Sequence, residues 1–223
     1  MKNKTYLFDF DGTLVDSMPS FCAMVIKILE EEGIVEYPSN VIKIVTPLGG
    51  IKTAEYFIEL GVKDTVENIM FKMIKYCLSD YQNTIPLKDG VKETLIELKN
   101  QGASLNVLTA SPHEALDCCL KRLEVYDLFD NVWSCDDFNT GKSNPEIYKQ
   151  AAKCLNCDVK DVIFVDDNVN AVKTAKTAGM IAFGIYDKSS DDYIDEMKEV
   201  SDKYLFNFKD LLWLKNYLKL LIN

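Results

Sequence analysis

The chain has 223 residues, 48% of them hydrophobic, enough to bury one large core and a small second one. With 25 basic against 35 acidic residues its formal net charge is −10, a field that repels nucleic acid and anionic membrane, so neither is expected as a partner. Met1 to Lys4 is too short and polar for a signal peptide, no apolar run approaches membrane-spanning length, and seven scattered cysteines read as reduced thiols, so a cytoplasmic protein is expected.

The first element is a strand, Tyr6-Leu7-Phe8-Asp9-Phe10-Asp11-Gly12-Thr13, whose apolar run delivers two carboxylates and then breaks at a glycine. Alternation sends Asp9 and Asp11 to one face and Phe10 to the other. Two like charges this close call for a proton on one of them or a hard cation between them. An acidic turn without function would look similar, since aspartate and glycine favour turns for their own reasons. A calcium-binding loop does not fit: counting from Asp9, the sixth position is Leu14 instead of glycine and the twelfth is Ser20 instead of glutamate.

Ser17 reads as a helix cap with Pro19 in the first turn, and Met18, Phe21, Cys22, Val25, Ile28 and Leu29 then recur at helical spacing as far as Gly33. Weaker helical segments, Val41 to Val45 and Lys52 to Leu60, flank Thr46-Pro47-Leu48-Gly49-Gly50, and a strong amphipathic pattern runs from Val66 to Tyr81. From Ser17 to about Gln82 the chain reads as all-helical. Beyond Pro86 helices and strands alternate. Val91, Leu95 and Leu98 mark a helix stopped by Gly102, Ser104 to Thr109 is a strand, Ser111-Pro112 opens a helix, and Val132 to Cys135 is a strand. Asn144 to Cys154 is helical, Val162 to Asp166 is a strand, Val169 to Ala178 is a helix closed by Gly179, and Met180 to Ile185 is a strand. Ser189 to Asp192 reads as a solvated turn and Phe208 to Ile222 as a final amphipathic helix. Such alternation is the mark of an α/β chain, a parallel Rossmann-like sheet wrapped by helices, whose sites lie at the carboxyl ends of strands.

Three more stretches carry chemistry at such ends. Leu108-Thr109-Ala110-Ser111 offers a hydroxyl followed by exposed amides; the alternative reading of Ser111 is as no more than the cap of the next helix. Gly141-Lys142-Ser143-Asn144-Pro145-Glu146-Ile147-Tyr148 brings a lysine, which alone would read as solvated. It is no nucleotide-binding P-loop, because Asp136 stands where that loop needs a glycine. Phe164-Val165-Asp166-Asp167-Asn168 ends a strand with two adjacent acids. Cys154 and Cys157 have metal-ligand spacing but no second pair follows, and the only histidine, His113, reads as an ordinary helix residue.

Taken in order, these four stretches resemble the four motifs of the haloacid dehalogenase superfamily, in its helical-cap group of phosphoglycolate phosphatase-like and β-phosphoglucomutase-like members. The resemblance covers nearly the whole chain. It implies a core domain of residues 1–16 and 83–223 with a helical cap, 17–82, inserted between them. It further implies a magnesium-dependent phosphatase acting on a small phosphorylated metabolite, a phosphate monoester. In that scheme Asp9 is the nucleophile that becomes an aspartyl phosphate, and Asp11 is the general acid and then the general base. Thr109, the backbone N–H of Ala110 and Lys142 hold the phosphoryl oxygens, and Mg2+ is held by Asp9, the Asp11 carbonyl and Asp167. Asp166 also serves the metal, directly or at one remove, because strand alternation would point it away from Asp167. Ser143 replaces the family's commoner proline. The rivals are a sugar phosphomutase on the same core, against which Met18-Pro19-Ser20 speaks, and a catalytically silent binding module, against which the intact acids and lysine speak. A monomer is the default expectation for its assembly.

Overall fold

The first strand, β1 (Thr5–Phe8), sits in the middle of a six-stranded, wholly parallel sheet in the order β3-β2-β1-β4-β5-β6. The computed structural model describes residues 4–46 and 48–214. The other strands are β2 (Ser104–Thr109), β3 (Asn131–Ser134), β4 (Val162–Asp166), β5 (Ile181–Ile185) and β6 (Lys203–Leu205). Because β1 is covered on both faces, its side chains are apolar without alternation. Tyr6 and Phe8 join Leu105, Val107, Ile163, Val165 and Phe183 in one buried layer, whereas Leu7 joins Leu108, Phe164 and Ala182 in the other. Each such side chain, fully buried, contributes roughly 1.5–3 kcal/mol.

Helices α5 (Val91–Asn100) and α6 (His113–Arg122) supply Val91, Leu95, Leu116 and Leu120 to the first layer, and α7 (Pro145–Cys154) and α8 (Val169–Ala178) supply Ile147, Tyr148, Val172 and Ala175 to the second. Helix α8 ends as its sequence requires, with Gly179 in the left-handed region at φ 101° donating to the carbonyls of Ala175 and Lys176.

The helical insertion comprises α1 (Met18–Glu31), α2 (Val41–Val45), α3 (Gly50–Glu59) and α4 (Val66–Asn83), and closes on a buried cluster of its own, including Val25, Leu29, Val45, Phe57 and Ile69. Its entry and exit lie side by side. Val15 bridges antiparallel to Leu87, the Asp16 N–H donates to the Pro86 carbonyl at 3.0 Å, and the Lys88 N–H donates to the Leu14 carbonyl at 3.0 Å. At the far end of α6, Arg122 Nε donates to the Tyr81 carbonyl at 3.1 Å and its Nη2 to the Ile85 carbonyl, pinning the exit to the sheet domain. Lys43 of α2 reaches Asp192 at 2.6 Å across the two layers.

Several expectations are corrected. Ser17 precedes α1 but forms no capping bond: its backbone is already helical (φ −93°, ψ −14°), so its hydroxyl is buried with no partner among the described residues instead of facing the free N–H groups. Strand β3 runs one residue earlier than expected, since Cys135 opens a 3-10 turn, Cys135–Phe138, capped by Ser134. Ser189 to Asp192 falls within a 3-10 turn, Lys188–Tyr193. Helix α9 (Ile194–Val200) and β6 went unforeseen, being short and bearing one buried residue each, Met197 and Leu205. Of the expected Phe208 to Ile222 helix, α10 (Asp210–Trp213) is seen, and 215–223 lie outside the described residues. None of the seven cysteines forms a disulfide, and Cys154 and Cys157 join no candidate metal group among the described residues. Among those residues no helix is long and apolar enough to cross a membrane.

Candidate active site

The strand order 3-2-1-4-5-6 reverses direction between β1 and β4, and at that point the loops leaving adjacent strands part and open a crevice. Asp9 follows β1, with its N–H still in the sheet on the Val165 carbonyl at 2.9 Å, and Asp166 and Asp167 leave the end of β4. All three are buried, and one carboxylate oxygen from each lies within 4.8 Å of the others. The two neighbouring acids share the site because β4 ends at Asp166 and the chain turns there, so strand alternation no longer separates them.

Lys142 comes in from the loop before α7. Its Nζ contacts Asp9 Oδ1 and donates to Asp166 Oδ2 at 2.9 Å. The loop is fixed by Tyr148, buried edge-on against Phe164, whose hydroxyl lies 3.1 Å from the Lys142 carbonyl and 3.2 Å from that of Ala171. Asp166 has both oxygens engaged, the second by the Asn168 N–H at 2.7 Å. Asp167 is held differently: Thr13 Oγ1 donates to its Oδ1 and accepts from its N–H, each at 3.1 Å. No hydrogen bond to its Oδ2 is formed among the described residues.

Charge explains what this cluster can bind. Burial pushes the Asp9 carboxyl up to about 8, against the pull of Lys142 and with Asp166 and Asp11 adding to the rise. Burial, then Asp166 and Asp9, push Asp167 well above the carboxylate range. Burial by itself would lower the Lys142 ammonium, but Asp166 and Asp9 outweigh it and hold it well above its usual value. One buried ammonium faces three buried carboxyl groups, so without a cation protons take up the surplus negative charge, and a hard divalent cation among these oxygen donors would do so in their place.

Asp11 shares the loop but not the cluster. Its Oδ1 accepts from the Tyr81 hydroxyl at 2.6 Å and its Oδ2 from Ser111 Oγ at 2.5 Å. Tyr81 lies on α4, stacked on Phe10 with ring centroids 5.9 Å apart. Ser111 therefore does not cap α6; Pro112 occupies the cap position without a side-chain bond, and the Ser111 hydroxyl is turned into the site. Thr109, buried at the end of β2, accepts from the Ser111 N–H at 3.0 Å, and Ala110 is exposed beside it. His113 opens α6 at the rim, with its ring nitrogens 3.2 Å from Asp117 and 2.9 Å from Asp137. Tyr81 and Ser111 went unassigned from sequence. Tyr81 stands on the regular apolar face of α4, and only the packing of that helix over the β1 loop distinguishes it.

A parallel sheet of this order, with buried acids and a lysine at its switch point and a helical layer over it, defines a capped, doubly wound α/β protein. The chain belongs to the haloacid dehalogenase-like hydrolases, whose family model matches residues 6–185. It is 27% identical over 176 residues to the phosphorylated carbohydrates phosphatase of Thermotoga maritima, covering 78% of this chain and 81% of that protein. To the validoxylamine A 7′-phosphate phosphatase of Streptomyces hygroscopicus subsp. limoneus it is 25% identical over 182 residues, covering 82% and 85%. Among solved structures, a haloacid dehalogenase hydrolase of family IA, variant 3, from Entamoeba histolytica superimposes with a TM-score of 0.85 at 18% identity over 99% of this chain and 100% of that one, a likeness of fold. The chain is a hydrolase of this family.

Proposed function

We propose that the protein is a magnesium-dependent phosphatase that hydrolyses a small phosphate monoester through a phosphoryl group carried on Asp9. The observation that carries this reading is the separation of the acids: Asp9, Asp166 and Asp167 form one buried cluster in which Lys142 bonds Asp9 and Asp166, while Asp11, two residues from Asp9, is held apart by Tyr81 and Ser111. A nucleophile needs neutralising charge around it, and a proton donor needs freedom from that charge.

In this reading Asp9 attacks phosphorus, and Asp11 hands a proton to the leaving oxygen and then removes one from the water that cleaves the aspartyl phosphate. Lys142, Thr109 and the Ala110 N–H hold the phosphoryl oxygens in place, positioning being most of what phosphoryl transfer asks of a protein. Asp9, Asp167 and the Asp11 carbonyl would hold Mg2+, with Asp166 holding Lys142; the ion would supply charge neutralisation for the transferring group. The two relatives are named for small phosphorylated metabolites, which supports a substrate of that class.

The test is acid-quenched mass spectrometry with an aryl phosphate and Mg2+. The wild type is expected to turn over with Mg2+ and to lose turnover in excess chelator. Asp9→Asn is expected to lose more than about a thousandfold in rate and to carry no phosphate. Phosphate on that variant, or full turnover in chelator, overturns the reading.

A further inference from the structure

A second ion pair lies behind the active-site loop, and the phosphatase mechanism makes no use of it. Lys88 stands on the segment that returns from the helical insertion, its side chain 19% exposed. Its Nζ donates to the Gly12 carbonyl at 2.6 Å, the Tyr186 carbonyl at 2.7 Å and Asp187 Oδ2 at 2.8 Å. An ammonium has three donors, and all three are used. Asp187, buried just past β5, is fixed in turn, since its Oδ1 accepts from the Ser189 N–H at 2.9 Å and the Ser189 hydroxyl at 2.6 Å.

What Lys88 grips is the hinge of the acidic loop. Gly12 has φ +75° and its backbone presses on Asp167: a Cβ there would lie 2.6–2.8 Å from the carboxylate atoms of that residue. The next residue, Thr13, forms the paired bonds to Asp167. The carbonyl held by Lys88 lies between these two contacts, so the peptide that shapes one wall of the Asp167 pocket is anchored from outside the pocket. Charge-assisted bonds to a backbone carbonyl are stronger than neutral ones, and here they come from a donor locked at both ends.

We propose that Lys88, paired with Asp187, is a positioning residue that holds the Gly12 peptide against Asp167 and thereby sets the affinity of the carboxylate cluster for a divalent cation. The proposal rests on the magnesium reading above. Residues that orient metal ligands without touching the metal are typically worth about 10- to 100-fold in affinity.

The experiment is calorimetric titration with Mg2+, without substrate, alongside thermal unfolding. Lys88→Met alone leaves Asp187 buried without its partner and is expected to lower the unfolding midpoint. The double variant Lys88→Met/Asp187→Leu removes both charges, so the midpoint is expected to recover. Its dissociation constant for Mg2+ is nevertheless expected to stay about 10- to 100-fold above wild type. A purely structural pair would give a double variant with recovered stability and wild-type affinity for Mg2+, and that result overturns the proposal while leaving the magnesium reading intact. A wild-type protein that binds no Mg2+ overturns both. If the double variant is not folded, Lys88→Arg decides, because it keeps the charge but cannot place three donors on the same acceptors: weaker Mg2+ binding supports the proposal and unchanged binding overturns it.

Discussion

Asp9, Asp166 and Asp167 sit at the ends of central strands, buried, with a lysine between Asp9 and Asp166, whereas Asp11 turns its carboxylate to the helical layer and is held by hydroxyls from α4 and from the loop after β2. The first group is fixed where β1 and β4 end, Asp9 by its bond into the sheet and Asp167 by Thr13. The second is fixed by a contact between two layers that have separate cores. In the proposed reading, the nucleophile with its lysine and the proton carrier are thus supplied by different parts of the fold. Position in the chain does not divide them, since Asp9 and Asp11 are two residues apart.

The sharpest way to break this comparison is Asp11→Asn. If Asp11 is the proton carrier, turnover of an alkyl phosphate falls by about 10²–10⁴. With an aryl phosphate, whose leaving group scarcely needs a proton, Asp9 is still phosphorylated and the phosphoenzyme accumulates, as mass spectrometry after acid quench would register. Wild-type turnover of the alkyl ester by this variant would reduce Asp11 to a carbonyl ligand.

A smaller effect sharpens the sheet-fixed group. Asp167→Ala is expected to raise the Mg2+ concentration needed for half-maximal rate by about 100-fold or more, and Asp166→Ala by about 10-fold, because Asp166 is already committed to Lys142 and Asn168. Activity measured across an Mg2+ series gives both values, and the reverse order refutes the assignment. The smallest effect lies in the helical layer. A Cβ on Gly50 would come within 2.8 Å of Met70 Cε, the mobile end of a side chain, so Gly50→Ala reshapes that surface without straining the backbone. A few-fold change in kcat/KM among natural substrates is expected, with a small aryl phosphate nearly unaffected. Equal losses on all substrates would point to damaged packing instead.

Much of the sheet-fixed group was legible in the sequence because each of its residues follows an apolar run, and a strand end announces itself by composition. Val162–Asp166 and Ser104–Thr109 could be bounded to the residue for that reason. The role of Ser111 stayed open between site and cap, because a serine before a proline and a helix looks like a cap, and nothing in one dimension shows that Asp11 lies 2.5 Å away. Tyr81, Lys88 and Asp187 escaped altogether. Their partners are 70, 76 and 99 residues distant, and an amphipathic helix face or a surface-like lysine gives no hint of what it will meet. The adjacent Asp166 and Asp167 show the opposite limit, where a rule of alternation expires with the strand that enforces it.

The placement of β1 has a consequence for how the protein comes to be made. Its neighbours in the sheet begin at Ser104 and Val162, both far downstream, so β1 must wait for the whole helical insertion to be synthesised before it can pair on one edge and longer for the other. Meanwhile Tyr6-Leu7-Phe8, rich in β-formers, is exposed on a nascent chain, the kind of segment that seeds association between copies. The helical insertion has a core of its own, built from contacts within the 50-odd residues from Met24 to Met73, and local contacts of that kind form early. Asp9 and Asp11 interrupt the apolar run with two charges during that wait, which is how gatekeeper residues keep an unpaired strand from pairing with the wrong partner.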